Sequence, residues 1–111
     1  MVILMITTYI PQGIEKEAGK KYIDVIHQFP SESFEKAILP LAVTSTKKGT
    51  KTISLIEVKE GNYEEALNLV TKRMLNLAEL EGRITYEIET LMSGEEAMSI
   101  IGLGMPQKLP M

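Results

Sequence analysis

The sequence predicts an α+β domain in the element order β-α-β-β-α-β, completed by a short helix and an apolar tail. Three observations predict it. Two segments, 14–28 and 63–80, place their apolar residues at helical spacing. Four others are rich in β-branched residues or alternate apolar with polar. A tight Lys47-Lys48-Gly49-Thr50 connection joins two of those four into a hairpin.

The first strand is read at 2–10 and is ended by Pro11, Gln12 and Gly13. In the first helix Ile14, Ala18, Tyr22, Val25, Ile26 and Phe29 form the apolar stripe, and Pro30 stops it. Ser31, Glu32 and Ser33 mark a loop, after which Phe34 and the Ala37-Ile38-Leu39 run lead into a second strand ending near Thr46. Pro40 is expected near that strand's beginning, where a missing N–H is tolerable at a sheet edge. The third strand is read at 51–59, with Lys48-Gly49 as the turn before it. Asn62 and Glu65 have the spacing of a capping box for the second helix, whose stripe is Tyr63, Ala66, Leu67, Val70, Met74 and Leu77. Gly82 ends that helix, and the fourth strand, 83–92, alternates Ile84, Tyr86 and Ile88 with Thr85, Glu87 and Glu89. Ser93 and Glu96 form a second capping box for the short helix.

Two βαβ halves joined by a hairpin give a ferredoxin-like sandwich, an antiparallel sheet in the order 4-1-3-2 with both helices on one face. Residues 1–92 form this domain, and residues 93–111 are expected as a short helix and an apolar tail packing on it or on a partner subunit. The tail carries Leu103, Met105, Leu109 and Met111.

The composition bounds the function. A chain of 111 residues has room for one core, and 44% hydrophobic with 24% charged residues is the balance of a globular protein. A net charge of −3 draws nothing overall to nucleic acid or anionic membranes. With no cysteine, thiolate catalysis, disulfides, iron–sulfur clusters and zinc sites built on thiolates are excluded. The apolar start, 1–6, lacks a basic lead-in and is too short for a signal peptide or a membrane span, so a cytoplasmic protein is expected. Glu supplies every acidic residue except Asp24, which with abundant Lys and Ile hints at a heat-adapted source.

Side-chain alternation assigns each strand residue to a face. One face collects Val2, Leu4, Ile6, Leu39, Leu41, Val43, Ile56, Val58, Ile84, Tyr86 and Ile88, and is expected beneath the helices as the core. The other carries Ile3, Met5, Ile53, Leu55 and Leu91 among Thr7, Tyr9, Ala42, Thr44, Thr46, Glu57, Thr85, Glu87 and Glu89. A sheet face left in water is normally polar, and monomers rarely expose a contiguous apolar patch such as Ile3, Met5, Ile53 and Leu55. A second copy, the C-terminal segment, or both are expected to cover it. These five apolar residues are therefore the expected oligomer interface.

In element order and face polarity, residues 1–92 resemble the dimeric α+β barrel superfamily, which includes antibiotic-biosynthesis-monooxygenase-like and stress-responsive barrel domains. The resemblance implies two sheets packed face to face and a small organic ligand held between sheet and helices or between paired sheets. It transfers no catalytic residue.

Candidate chemistry lies at the margin of the second face. Tyr9, Thr7, Thr44, Glu57, Glu87 and Glu89 are the expected ligand-binding residues: carboxylates in a partly dry cavity transfer protons, and a tyrosine orients a carbonyl. The competing reading is a solvated rim, with glutamates paired to Lys51 and Lys59 or protecting an edge strand. His27, the only histidine, falls at a helix end, where a cation suits the dipole. No HxH or HxxxH spacing accompanies it, so no metal site is expected. Lys47, Lys48 and Lys51 solubilise a hairpin tip. An RNA-recognition reading fails because strand three lacks the base-stacking aromatics. Gly102-Leu103-Gly104 follows a helix and lacks the third glycine of a dinucleotide loop. The scattered methionines are packing residues, and Leu75, opposite the core stripe of its helix, is one more apolar contact point.

The sequence thus predicts a cofactor-free homo-oligomer that binds a small organic molecule or serves as an assembly module, without nucleic acid or membrane as partner. Two alternatives stay open. One is a cofactor-independent oxygenase or isomerase-like enzyme using Tyr9, Glu57 and Glu87; the other is a regulatory ligand-binding module like the ACT domains.

Overall fold

The computed structural model describes residues 2–104, which form an α+β protein with a four-stranded antiparallel sheet and three helices. In chain order these are β1 (Val2–Pro11), α1 (Glu15–Gln28), β2 (Glu35–Thr46), β3 (Gly49–Val58), α2 (Tyr63–Ala78), β4 (Thr85–Met92) and α3 (Gly94–Ile100). Across the sheet the order is β2-β3-β1-β4, which puts β1 and β3 in the centre and leaves β2 and β4 as edges. No described helix is long and apolar enough to cross a membrane. The expected role of the tail beyond Gly104 lies outside the described residues.

The core forms where the apolar stripes of α1 and α2 meet the helix-side face of β1, β3 and β4. Leu4, Ile6, Val58 and Ile84 from the sheet side are buried against Ile14, Ala18 and Val25 and against Ala66, Val70, Met74 and Leu77. Val2, Ile56, Tyr86 and Ile88 pack on this cluster. Burial of each large aliphatic side chain contributes about 1.5–3 kcal/mol, which is what holds helices to sheet.

The second strand departs from the expected pattern in three ways. Its hairpin turn is Lys47-Lys48 and not Lys48-Gly49, with Thr46 opposite Gly49 and Val43 opposite Thr52; the expected turn would have set Val43 against Ser54. A register change of two preserves the alternation, and Leu41 and Val43 stay on the helix side. Pro40 lies in mid-strand, where the register shifts between Ala37 and Leu39 and again between Leu39 and Ala42. Such irregularities accommodate a residue without an N–H. They also reverse the parity locally: Leu39 pairs with Leu55, and so belongs to the open face and not to the core. The carbonyl of Pro40 accepts a hydrogen bond from Ser54 Oγ at 2.8 Å, which fixes the irregular segment to β3.

The two capping boxes differ in outcome. Ser93 Oγ accepts from the Glu96 N–H at 3.1 Å and donates to its Oε1 at 3.0 Å. Asn62 makes no hydrogen bond to the α2 backbone through its side chain; its amide donates to Glu65 Oε1 at 3.0 Å instead.

Candidate functional site

The open face assembles from four ladder rows, because residues directly opposite share a side of the sheet. From one end these are Lys36–Glu57–Ile3–Leu91, Leu39–Leu55–Met5–Glu89, Ala42–Ile53–Thr7–Glu87 and Thr44–Lys51–Tyr9–Thr85. The apolar residues of the first three rows are each partly buried on their own chain, and Thr7 is buried. Tyr9, Thr7, Thr44 and Glu87 therefore lie in the two rows at one end, with Lys51 between Thr44 and Tyr9. Tyr9 donates its hydroxyl to Glu87 Oε1 at 3.4 Å, and Lys51 Nζ lies 6.0 Å from the centre of the Tyr9 ring. Burial and then the negative charges of Glu87 and Glu89 push the Tyr9 phenol above its ordinary value. Glu89 sits one row away, beside Met5. Glu57 pairs with Ile3, six residues along β1 from Tyr9, or roughly 20 Å at the usual strand rise. The three residues expected to line one cavity, Tyr9, Glu57 and Glu87, are not brought together within one chain.

A different concavity lies on the helix side. α1 packs chiefly on β1 and α2 on β4, away from the helix-side surface of β2. The result is a trough between α1, α2 and the β2–β3 hairpin, made of two lobes of about 240 and 330 Å³. Both lobes are lined by Ile6, Tyr22, Ser54, Met74 and Leu77, which form a shared waist. The first lobe reaches Val25, Ile26 and Ile56 and ends at Arg73 and Glu35. The second is bounded by Leu41 and Val43 on one side, by Glu15, Ala18 and Gly19 on the other, and by Thr8, Thr50 and Thr52.

Arg73 is the residue that sequence reasoning missed. Its side chain is 10% exposed and that of Glu35 is 3% exposed. The guanidinium meets the carboxylate at two points, NH1 to Oε1 at 2.6 Å and NH2 to Oε2 at 2.9 Å. It also donates from Nε to the Phe29 carbonyl at 2.9 Å and from NH2 to the Pro30 carbonyl at 3.0 Å. Burial raises the Glu35 carboxyl, but hydrogen bonds from Arg73 and the Glu32 N–H, with the Arg73 charge, outweigh it and hold the group below its ordinary value. One arginine thereby fixes the end of α1, the following loop and the start of β2, and so the closed end of the trough. A signal was available: Arg73 follows Val70 by three and Ala66 by seven, which puts it on the buried stripe of α2.

Chemically, the trough offers apolar walls, a few hydroxyl-bearing side chains, the exposed Glu15 carboxylate on the second lobe and one internally neutralised ion pair. That suits a small, flat, mostly apolar molecule held by shape and a few hydrogen bonds. Among the described residues no cluster of three or more histidine, aspartate or glutamate side chains has the geometry to hold a metal ion.

No family model matches the chain, and no curated protein matches it in sequence. Among solved structures, the chain is similar in fold to the de novo designed protein Foldit4, with a TM-score of 0.56 at 10% identity, covering 83% of this chain and 96% of that one. Looser likenesses are a protein from Streptococcus pneumoniae (TM-score 0.42, 6% identity, 91% and 97% covered) and a thiamine biosynthesis/salvage candidate from Thermotoga maritima (TM-score 0.40, 15% identity, 90% and 97% covered).

Proposed function

We propose that this chain is the subunit of a cytoplasmic homo-oligomer of ferredoxin-like topology that binds a small, mostly apolar organic molecule in the helix-side trough. The observation that carries the ligand half is the pair of lobes sharing one apolar waist, with hydroxyls at one end and a fixed ion pair at the other. The lobes are near the lower end of the size range of ligand pockets, about 300–1,000 Å³, which favours a compact ligand. The assembly half is supported by the apolar rows of the open face, to which Leu39 adds a further member. The enzyme reading has less behind it, since Tyr9 and Glu87 meet without Glu57.

Ligand-observed NMR with a panel of small aromatic and alicyclic alcohols and heterocycles tests the ligand half. Members of the panel bind the wild-type protein and lose binding in Gly19→Phe, which fills the second lobe from a position where an added Cβ meets nothing within 4 Å. Absence of binding to wild type, or equal binding to Gly19→Phe and to Ser54→Trp at the waist, overturns it.

A further inference from the structure

We infer that the β2 edge is a seam at which a second copy of this chain adds its own β2 in antiparallel pairing, joining two sheets into one. This rests on the assembly half of the reading above and names a different surface from the open face.

The two edges of the sheet are unlike. β4 carries Glu87 and Glu89 within eight residues, the charge that ordinarily keeps an edge from pairing. β2 is twelve residues long, and from Ala37 to Thr46 it has no charged side chain. Its large apolar residues are left in water: Ile38 is 47% exposed, Leu41 42% and Val43 61%. An edge strand also presents unpaired backbone N–H and C=O groups, so a long uncharged one is a template for another strand. The irregular part is confined to 37–42. From Ala42 to Thr46 the strand pairs with β3 in unbroken register, and its outer side is regular enough to be paired in turn.

A second copy is the occupant this edge fits. A two-fold axis normal to the sheet sets β2 against the partner's β2 in opposite directions with the helix sides aligned. With the axis at Val43, Val43 meets its own copy and Leu41 meets the partner's Ser45 on the helix side, while Ala42 meets the partner's Thr44 on the open face. No like charges oppose one another along 37–46, and the lysines of the two hairpin tips, Lys47 and Lys48, fall at opposite ends of the seam. Leu41 and Val43 are also the outer wall of the second lobe. The seam therefore sets the two troughs side by side and walls each on the side its own helices leave open.

Sedimentation with edge and face variants tests the seam. Wild type is expected to sediment with an even number of subunits, and Val43→Lys to halve that mass while circular dichroism stays unchanged. Because the chain has no cysteine, single substitutions report contacts directly. In a series of Leu41→Cys, Val43→Cys and Ser45→Cys, oxidation gives a covalent dimer at a position beside the axis, whereas Glu87→Cys on the other edge gives none. A Val43→Lys protein that keeps the wild-type mass, with Leu55→Lys alone dissociating it, overturns the seam and leaves assembly through the open face standing. A wild-type monomer at micromolar concentration overturns the seam and the assembly half together, and leaves the ligand half to its own test.

Discussion

Arg73 on α2 and Glu35 at the first residue of β2 are joined by two parallel hydrogen bonds, 2.6 and 2.9 Å long, with both side chains almost wholly out of water. Removing one partner of such a pair strands the other charge, which costs about 3–5 kcal/mol. Arg73→Met is expected to lose that much in urea unfolding, since the Phe29 and Pro30 carbonyls lose their donor too. The double variant Arg73→Met/Glu35→Met is expected to recover a large part of the loss, because no uncompensated charge is left. If the two single losses simply add, the pair is not coupled as described.

The same pair gives acid sensitivity. The Glu35 carboxyl is held below its ordinary value of 4.5, so the folded state binds its proton less readily than the unfolded chain does. Its contribution is complete above the unfolded value and is lost as pH falls through the folded one. The urea midpoint of wild type is expected to drop as pH is lowered below 4.5, and Glu35→Gln, though less stable at neutral pH, to show a shallower acid limb. Parallel limbs in the two proteins would remove Glu35 as a source of the slope.

Helices and strands were legible because their periodicities are strong: the stripe from Ala66 to Leu77 and the alternation from Ile84 to Glu89 each permit one reading. Parity carried face assignments correctly along β1, β3 and β4 because those strands pair without interruption. It failed at Leu39, where the irregularities around Pro40 reset the alternation, and nothing in a face count registers such a reset. The trough was not legible at all. It depends on the helices lying to one side of the sheet, and stripes on α1 and α2 say which faces are buried but not which strands lie beneath them. Arg73 was legible by position and overlooked by type, since a charged residue on a buried stripe has to bring its own partner.

Gly49 and Gly19 are expected to respond oppositely to alanine. Gly49 has φ +139°, and a Cβ there would fall inside contact distance of the Ile10 carbonyl and 2.8 Å from the Gln12 nitrogen, both backbone atoms at the end of β1. Neither can swing aside, so Gly49→Ala is expected to cost about 3 kcal/mol or prevent folding. Gly19 lies within α1 with open space around it, and Gly19→Ala is expected to gain about 0.5–1 kcal/mol. Urea midpoints of the two variants check both signs. A neutral Gly49→Ala would mean that the approach of β1 to the hairpin is looser than described.

Tyr9 is expected to remain a proton donor and never a base near neutral pH. Its phenol is pushed above 10.0 by burial, by the charge of Glu87, by the hydrogen bond it donates to that carboxylate, and by Glu89. Deprotonation would set a phenolate against a carboxylate now 3.4 Å away and forfeit the hydrogen bond. The one hydroxyl proton of Tyr9 is given to Glu87, so toward a ligand at this end of the open face the Tyr9 oxygen is an acceptor and the Lys51 ammonium the donor, and neither abstracts a proton. The chain has four tyrosines, so the Tyr9 titration is read as the difference between wild type and Tyr9→Phe in phenolate absorbance. Glu87→Gln is expected to move that difference titration to lower pH, toward the ordinary tyrosine range. A midpoint already in that range in wild type, or one that Glu87→Gln leaves in place, would show that the two side chains do not interact.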